Sequence, residues 1–248
     1  MKRYGWLFCC WCGWVSGAPL SLVTGDFSPY TGAALADGGQ STRLVTTLLR
    51  EAGYQDLKVD YLPWNRGYEL TRNGLASATY PYAWTRARAK LFYYSAPIHI
   101  DHLSWFTYRG SEAVLDGKWQ GLRVCIPAGW STSHADEVIA SFSLQLIRPK
   151  TLAQCLRMLE LKRVDLMPMN DAVTADASMA VFGDPHHLQS LPYFRQSDTF
   201  YLLVSRQMPG GIELIERFNE ALAAARAGGY YDKLVPRAQP RLLRCEQQ

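Results

Sequence analysis

Residues 61–97 decide the fold prediction, and they read YLPWNRGYELTRNGLASATYPYAWTRARAKLFYYSAP. The first residues predict a strand that ends at Pro63-Trp64. An amphipathic helix is expected over residues 65–73; it stops at Gly74 and precedes a second strand over residues 76–80. A strand, a helix and a strand in succession are typical of an α/β domain built on parallel strands.

The residues before this stretch show the same alternation. The predicted elements are a strand over residues 20–24, a helix over residues 40–52 and a strand over residues 57–62. Gly53 is suited to end the helix. In open parallel sheets, ligands bind beyond the carboxyl ends of the strands. We therefore expect the loops that carry Phe27, Trp64 and Tyr80 to gather around a ligand.

The residues after Pro97 predict a second set of elements, which begins with an extended segment. The further elements are a strand over 122–126, a helix over 133–141, a strand over 145–147, a helix over 152–161 with Thr151 as N-cap, a strand over 164–167, a return segment over 188–194, a strand over 199–205 and a helix over 211–227. The chain of 248 residues is long enough for two lobes of about 100 residues each or for one larger α/β domain.

Composition and charge exclude several classes of protein. Hydrophobic residues make up 48% of the chain and charged residues 19%, which is an ordinary globular composition. The formal net charge is only +4, and no block of like charges could follow a phosphate backbone, so no nucleic-acid partner is expected. The five histidines lack metal-ligand spacing, and neither a Gly-x-Ser-x-Gly turn nor a phosphate-binding glycine loop occurs. We therefore predict no metal site, no cofactor and no catalytic residue.

The N-terminus has the pattern of a secretory signal peptide. A basic start precedes an apolar stretch over residues 4–15 and a few small residues. The apolar stretch is too short to span a bilayer. We expect a signal peptide over residues 1–17 that is cleaved after Gly17, because cleavage after Ala18 would leave Pro19 directly behind the cut. The alternative is an uncleaved N-terminal anchor.

Three cysteines remain after this cleavage, namely Cys125, Cys155 and Cys245. An odd number rules out a framework in which every cysteine is paired within the chain. Cys125 falls on a predicted buried strand and Cys155 on a helix face, where free cysteines often pack as small apolar side chains. A disulfide between Cys125 and Cys155 is the alternative, and a catalytic thiol is not expected.

Several motifs follow one another in a fixed order. They are Thr-x-x-Arg (Thr85 and Arg88), Tyr94-Ser95-Ala96-Pro97, the glycine-containing strand entry over 116–126, Gly129-Trp130-Ser131 and the segment over 228–234. In this order they resemble the family 3 solute-binding proteins of ABC importers, the periplasmic receptors for polar amino acids. Pro63-Trp64-Asn65-Arg66 resembles the Pro-Trp-x-Arg branch of that family. The resemblance covers nearly the whole chain after residue 17.

The resemblance implies an α/β, two-lobed type II periplasmic-binding-protein fold. Each lobe is expected to be a mostly parallel sheet flanked by helices, and two crossover strands join the lobes. Lobe 1 is expected to contain residues 18–99 and 194–248, and lobe 2 is expected to contain residues 100–193. A solute would then bind in the cleft between the lobes.

The resemblance also implies ligand-binding residues in lobe 1. Arg88 matches the arginine that holds the α-carboxylate of the solute, and a guanidinium group is a planar, bidentate partner for a carboxylate. Phe27 and Trp64 match aromatic walls that sandwich the solute, and Tyr80 matches a hydrogen-bonding position. The alternatives are a solvated basic loop for Arg88 and ordinary aromatic packing for the rings.

In lobe 2, the resemblance implies that Trp130 and Ser131 present backbone amides at a helix N-terminus, where a carboxylate can bind. The aspartate that pairs with the solute ammonium group in the family is replaced here by Asn170, and Asp171 follows. An amide oxygen accepts a hydrogen bond from an ammonium group but supplies no charge. Which of the two residues takes that role, and which solute binds, is left open by the sequence.

The function implied is that of an exported periplasmic receptor. It would close on a small polar, amino-acid-like solute and deliver it to an ABC permease in the membrane, and a monomer is expected. The alternatives on the same fold are a ligand-binding sensor domain, a protein that has lost binding, and a dehydratase enzyme. The dehydratase would need a general acid or base in the cleft, for which Asp171 and Glu69 are the candidates.

Overall fold

The computed structural model describes residues 19–235. The predicted signal peptide over residues 1–17 and the third cysteine, Cys245, lie outside the described residues. Within residues 19–235, no helix combines the length and the apolar character needed to cross a membrane.

The order of elements follows the predicted α/β pattern. The strands are β1 (Leu20–Thr24), β2 (Leu57–Tyr61), β3 (Ala78–Ala83), β4 (Phe92–Tyr94), β5 (His99–Tyr108), β6 (Arg123–Cys125), β7 (Gln145–Ile147), β8 (Met167–Asn170) and β9 (Leu188–Ser205). The helices are α1 (Gln40–Glu51), α2 (Trp64–Arg72), α3 (Arg86–Ala89), α4 (Glu112–Leu115), α5 (Asp136–Ser141), α6 (Leu152–Glu160), α7 (Asp171–Phe182), α8 (Gly211–Ala227) and α9 (Tyr231–Leu234). A 3-10 turn covers Ala36–Gly38.

The main sheet has seven strands in the order β2-β1-β3-β9-β5-β8, and β4 pairs with the end of β9. β1 is parallel to both β2 and β3, as predicted. The two extended segments that connect the predicted lobes are β5 and β9, and they pair with each other in antiparallel register. A second, small sheet contains β6 and β7 in parallel, and Leu166 forms a parallel bridge to Val124 beside them.

The predicted lobe boundaries fall between residues 99 and 100 and between residues 193 and 194. The first boundary lies inside β5 and the second inside β9. The division of the chain into two lobes at these positions stays a prediction.

Strand β3 differs from the predicted strand over 76–80, because it begins later and continues to Ala83. Its register against β9 shifts between Thr79 and Tyr82. Pro81 lies at the shift and has no N–H group to donate to a neighbouring strand. As a result, Tyr80 packs in the largest core cluster, whereas Tyr82 packs in a separate aromatic cluster.

Three other elements have different limits from those predicted. The return segment over 188–194 and the strand over 199–205 form the single strand β9. β8 begins at Met167 rather than at residue 164, and α5 begins at Asp136 rather than at residue 133.

The largest core cluster lies between the main sheet and its flanking helices. Four α1 side chains at helical spacing are fully buried in it, namely Leu44, Val45, Leu48 and Leu49. They share the cluster with Leu22 of β1 and Phe218 of α8. Full burial of an aliphatic side chain contributes about 1.5–3 kcal/mol, so this face holds α1 on the sheet.

A disulfide bond joins Cys125 at the end of β6 to Cys155 in α6. Both residues are fully buried, and their Cα atoms are 5.7 Å apart. The helix that carries Cys155 starts at the predicted N-cap, where Thr151 Oγ1 accepts a hydrogen bond from the Gln154 N–H group. The disulfide left open by the sequence is therefore present, and it fixes α6 to the small sheet.

We expect the disulfide to stabilise the fold by about 3–4 kcal/mol, because a bridge that closes a loop of 30 residues reduces the entropy of the unfolded chain. The double variant Cys125→Ala/Cys155→Ala should lose this free energy of unfolding in urea denaturation. Cys245→Ala keeps the bridge and serves as the control. Equal unfolding midpoints for the wild type and the double variant would contradict the expectation.

Candidate functional site

A cavity of about 1000 Å³ lies at the carboxyl ends of several strands. Phe27 follows β1, Trp64 follows β2, Ala83 ends β3 and Asn170 ends β8, and all four residues line the cavity. This is the location predicted from the parallel strand order. The floor is formed by residues of the crossover strands β5 and β9, among them Asp198.

The structure brings six of the seven predicted ligand-binding residues to this cavity. They are Phe27, Trp64, Arg88, Trp130, Ser131 and Asn170. Tyr80 does not line it, because its side chain is fully buried in the core on the other side of the register shift in β3. Tyr82 lines the cavity instead. The roles of these residues toward a ligand stay predictions.

Aromatic rings form much of the lining. Phe27 is 8% exposed, and its ring lies 6.2 Å from Trp64, 5.4 Å from Trp130 and 5.6 Å from Phe200 (centroid distances). The Trp64 ring lies against the backbone of Gly25, where a Cβ atom would come within 2.6 Å of the indole. Glycine is therefore required at position 25 for this ring position. The packed rings preorganise an apolar wall.

Arg88 is positioned by the local structure around it. Thr85 Oγ1 accepts a hydrogen bond from the Arg88 N–H group at 3.2 Å, which accounts for the Thr-x-x-Arg spacing. Arg88 Nη1 donates to the Ala83 carbonyl at 2.9 Å, and the guanidinium carbon lies 4.9 Å from the centroid of the Tyr82 ring. No carboxylate of residues 19–235 forms an ion pair with Arg88. Since a guanidinium group has five N–H donors, the side chain can still bind a carboxylate in the cavity.

The turn with Trp130 and Ser131 differs from the prediction, because it is not a helix N-terminus. The following helix starts only at Asp136. The Trp130 N–H group donates to the Pro127 carbonyl at 3.2 Å, so it is already used within the turn. Arg148 donates to the Trp130 carbonyl at 2.8 Å and holds the turn against the cavity.

Two carboxylates that line the cavity were not predicted from the sequence, namely Asp136 at the start of α5 and Asp198 on the floor. The buried amide of Asn170 donates to Asp198 Oδ2 through a long hydrogen bond of 3.5 Å. Asp198 lies directly opposite Asp101 in the pairing of β5 and β9. The signal that could have revealed it is the polar run Gln196-Ser197-Asp198 inside a crossover segment, which the prediction left between two elements.

Burial raises the pKa of Asp198 to about 6, and the negative charge of Asp101 adds to this shift. The Asn170 amide and the charge of Arg88 act in the opposite direction and lower the pKa of Asp198. Burial likewise raises the pKa of the Asp101 carboxyl group. Asp198 on the floor of the cavity is therefore in an environment that disfavours its charge, and so is Asp101, which pairs with Asp198 from β5 but does not line the cavity.

The two carboxylates considered as catalytic groups lie outside the cavity. Asp171 pairs with Arg195 at 3.1 Å, and Glu69 pairs with Arg72 at 3.2 Å. Among residues 19–235, no group of three or more histidine, cysteine or acidic residues is placed to hold a metal ion.

His99 of β5 is buried directly behind the cavity. Its ring is stacked between Tyr30 (4.3 Å between centroids) and Phe200 (4.8 Å), and its Nδ1 atom is 3.4 Å from Ser41 Oγ. Burial lowers the pKa of His99 to about 3. The ring is therefore neutral at physiological pH and acts as part of the apolar support for Phe200.

Comparison with known proteins identifies the fold. No protein-family model and no curated protein matches the sequence. The GluR0 ligand-binding core of Nostoc punctiforme in complex with L-glutamate superposes with a TM-score of 0.71 and 17% identity, over 87% of this chain and 97% of that chain. The amino acid ABC transporter substrate-binding protein AbpA of Streptococcus pneumoniae, bound to L-arginine, has a TM-score of 0.69 and 15% identity, over 87% and 92% of the two chains.

A third similar structure is a histidine kinase sensor domain with similarity to periplasmic binding proteins. Its TM-score is 0.70 and its identity 20%, over 86% of this chain and 93% of that chain. At these identities the likeness concerns the fold. The chain has the type II periplasmic-binding-protein fold, as predicted.

We expect acid to destabilise the protein through His99, because the unfolded chain binds a proton near pH 6.5 and the folded chain does not. The contribution of His99 is fully present above pH 6.5 and declines as the pH falls toward 3; by pH 4.5 the loss due to His99 should be about 2.7 kcal/mol. His134, whose pKa burial lowers to about 4, adds in the same direction. The raised pKa of Asp198 acts in the opposite direction over this range, so the effect of His99 is measured as a difference between variants.

Urea denaturation at pH 7.5 and pH 4.5 measures this loss. His99→Phe keeps an aromatic ring between Tyr30 and Phe200 and should show a smaller loss of stability in acid than the wild type. The exposed His102→Gln is the control and should behave as the wild type does. Parallel pH profiles for the wild type and His99→Phe would exclude this role of His99.

Proposed function

We propose that the protein is an exported receptor that closes on a small polar, amino-acid-like solute and delivers it to an ABC importer. The observation that carries this proposal is the composition of the cavity. Arg88 faces it with unused donors, Asp198 supplies a carboxylate on the floor, and the rings of Phe27, Trp64 and Trp130 form its walls. Such a combination suits a small molecule with both charged and apolar parts.

The likeness to solved structures supports this class of solute. The neighbours described above include a ligand-binding core with L-glutamate and an ABC transporter substrate-binding protein with L-arginine. These structures are of binding proteins, and both ligands are amino acids with an α-carboxylate. The position of Arg88 at the cavity fits a carboxylate partner of this kind.

Binding would act by population shift. The residues that line the cavity come from both predicted lobes, with Phe27 and Arg88 on one side and Trp130 on the other. A solute that touches both sides stabilises the closed form, which is the form that a membrane permease would recognise. The paired strands β5 and β9 would be the hinge, and a monomer would suffice for this action.

Export to the periplasm follows from the N-terminal pattern, and the disulfide supports it. A bridge such as Cys125–Cys155 persists in oxidising compartments and is rare in the cytosol. We propose that residues 1–17 are a signal peptide that is removed after Gly17.

A second candidate function is that of a sensor domain. The histidine kinase sensor domain has the same fold at a similar TM-score, and such a domain would bind its ligand in the same kind of cleft. The two functions share the binding step and differ in the partner that detects closure.

We expect the mature protein to gain thermal stability with its solute. At a concentration of one hundred times the dissociation constant, a solute should stabilise the fold by about 2.7 kcal/mol, which corresponds to roughly 5–10 °C in melting temperature. The measurement is a thermal-shift screen of amino acids, carboxylic acids and polyamines. Arg88→Ala should abolish the shift that carboxylated solutes cause.

Arg86→Ala is the matched control, because Arg86 lies on the same short helix but does not line the cavity. It should keep the wild-type shift. A shift that survives in Arg88→Ala would remove Arg88 from the site and leave the receptor function intact. The absence of a shift with every solute would refute the receptor function.

The export proposal has a test of its own. Expression of the full chain in a Gram-negative bacterium should place the protein in the periplasmic fraction, with Ala18 as the first residue in intact-mass measurement. Replacing Leu7 and Val15 of the apolar stretch by Arg should keep the protein in the cytoplasm. An unprocessed chain in the membrane fraction would support the N-terminal anchor instead.

A further inference from the structure

We propose that Asp198 binds the cationic group of the solute, in place of the residue at position 170, and that the solute therefore carries an ammonium or guanidinium group. This inference rests on the receptor function proposed above and specifies its solute. It moves the anionic partner of the solute from the start of α7, where Asn170 and Asp171 lie, to the crossover strand β9.

The carboxylate of Asp198 has the right surroundings for this role. It lines the cavity and accepts the long hydrogen bond from Asn170 described above. No Lys, Arg or His side chain within residues 19–235 forms an ion pair with it. A hydrogen bond from the Thr199 backbone also lowers the pKa of Asp198. An ionised carboxylate has about four acceptor sites, so these two hydrogen bonds still leave capacity for a ligand.

The carboxylate of Asp101 is a second negative charge next to Asp198, and it increases the stabilisation that a bound cation would give. Asp101 lies directly opposite Asp198 on β5 and is only 8% exposed. The His102 N–H group donates to Asp101 Oδ1 at 2.7 Å, but Asp101 Oδ2 has no hydrogen-bond partner among the described residues. Like charges in directly opposite positions of two strands repel each other. A cation bound at Asp198 would reduce this repulsion.

The other charged groups around the pair do not neutralise it. The Tyr30 hydroxyl and the charge of His102 lower the pKa of Asp101, whereas the negative charge of Asp171 raises it. Asp171 is itself paired with Arg195. The charge of Arg88 lowers the pKa of Asp198, but no ion pair between them forms. A zwitterionic solute could therefore meet Arg88 with its carboxylate and Asp198 with its cationic group.

This arrangement gives the binding of such a solute a specific pH dependence. The cationic group needs the ionised form of Asp198, and the pKa of Asp198 is raised to about 6. Affinity should be constant above pH 7 and about tenfold weaker at pH 5. Amines and guanidines remain fully charged between pH 5 and pH 7, so the change in affinity would come from protonation of the protein and not of the solute.

The experiment uses isothermal titration calorimetry with matched sets of probes. Each set contains an L-amino acid, the amine that lacks its carboxylate and the carboxylic acid that lacks its amino group; L-arginine, agmatine and 5-guanidinopentanoate form one set, and L-alanine, ethylamine and propanoate another. We expect binding to require a cationic group. Asp198→Asn should weaken it by about 10- to 100-fold, the value of a charged hydrogen bond.

Two further variants separate binding from structure. Asp171→Asn makes the same chemical change next to the site but outside the cavity, and it should bind as the wild type does. The double variant Asp198→Asn/Asn170→Asp exchanges the two partners of the hydrogen bond between these residues, so that the carboxylate lies at position 170. It should restore part of the affinity that Asp198→Asn loses. Without ligand, Asp198→Asn should melt at or above the wild-type temperature at pH 7.5, because it removes a repelled charge.

The outcomes distinguish this inference from the receptor function. Unchanged affinity in Asp198→Asn, or tightest binding of solutes without a cationic group, would overturn the role of Asp198 and leave the receptor function standing. If Asp198→Asn does not fold, the pH dependence of binding by the wild-type protein tests the inference. A tenfold loss of affinity between pH 7 and pH 5 supports it, and an affinity that does not change with pH overturns it. Failure of every probe to bind would overturn both proposals.

Discussion

The antiparallel pairing of β5 and β9 is the constraint on which the rest of the structure depends. It joins the first strands of the main sheet to β8, with one register shift between Leu103 and Trp105. The residues after β1 and β2 and at the end of β8 that line the cavity are therefore held by one sheet. It also sets which side chains form the floor. Because side chains alternate along a strand, the register that pairs His99 with Phe200 also pairs Asp101 with Asp198 on the same face. The same strand register therefore places His99 behind the aromatic wall and Asp198 on the floor of the cavity.

The cavity is lined by aromatic rings that are packed against one another and by charged groups that have few partners. The rings around Phe27 are packed before any solute arrives, since they contact one another and Gly25 leaves room for Trp64. The charged groups have fewer partners: Arg88 has spare donors, and Asp198 on the floor forms no ion pair within residues 19–235. The shape of the cavity is therefore preorganised, whereas under the proposed receptor function a ligand would supply the missing ionic partners.

Local sequence signals predicted the elements well, and contacts between distant residues explain what they missed. The α1 stripe and the Thr151 cap each depend on residues a few positions apart, so the chain alone reveals them. The burial of Tyr80 depends on a register shift against β9, and the disulfide depends on the approach of α6 to β6. Asp198 was missed because its place in the cavity comes from strand pairing over a long sequence separation. The turn with Trp130 was misjudged because the chain makes one more turn before α5 begins.

The disulfide has a consequence for the mechanics of the cavity. It joins β6 to α6, and both lie on the side that carries the Trp130 turn; no part of it reaches the side with Phe27, Trp64 and Arg88. The covalent link therefore stiffens the Trp130 side of the cavity without joining it to the other side, and it would not restrict the proposed closing movement about β5 and β9. In a reducing environment this bond would be broken, and the side of the cavity with β6, α6 and Trp130 would become more flexible than the side with Phe27, Trp64 and Arg88. Under the proposed receptor function, binding of a solute would then cost more conformational entropy, because the loosened side of the cavity would have to be ordered at the moment of binding.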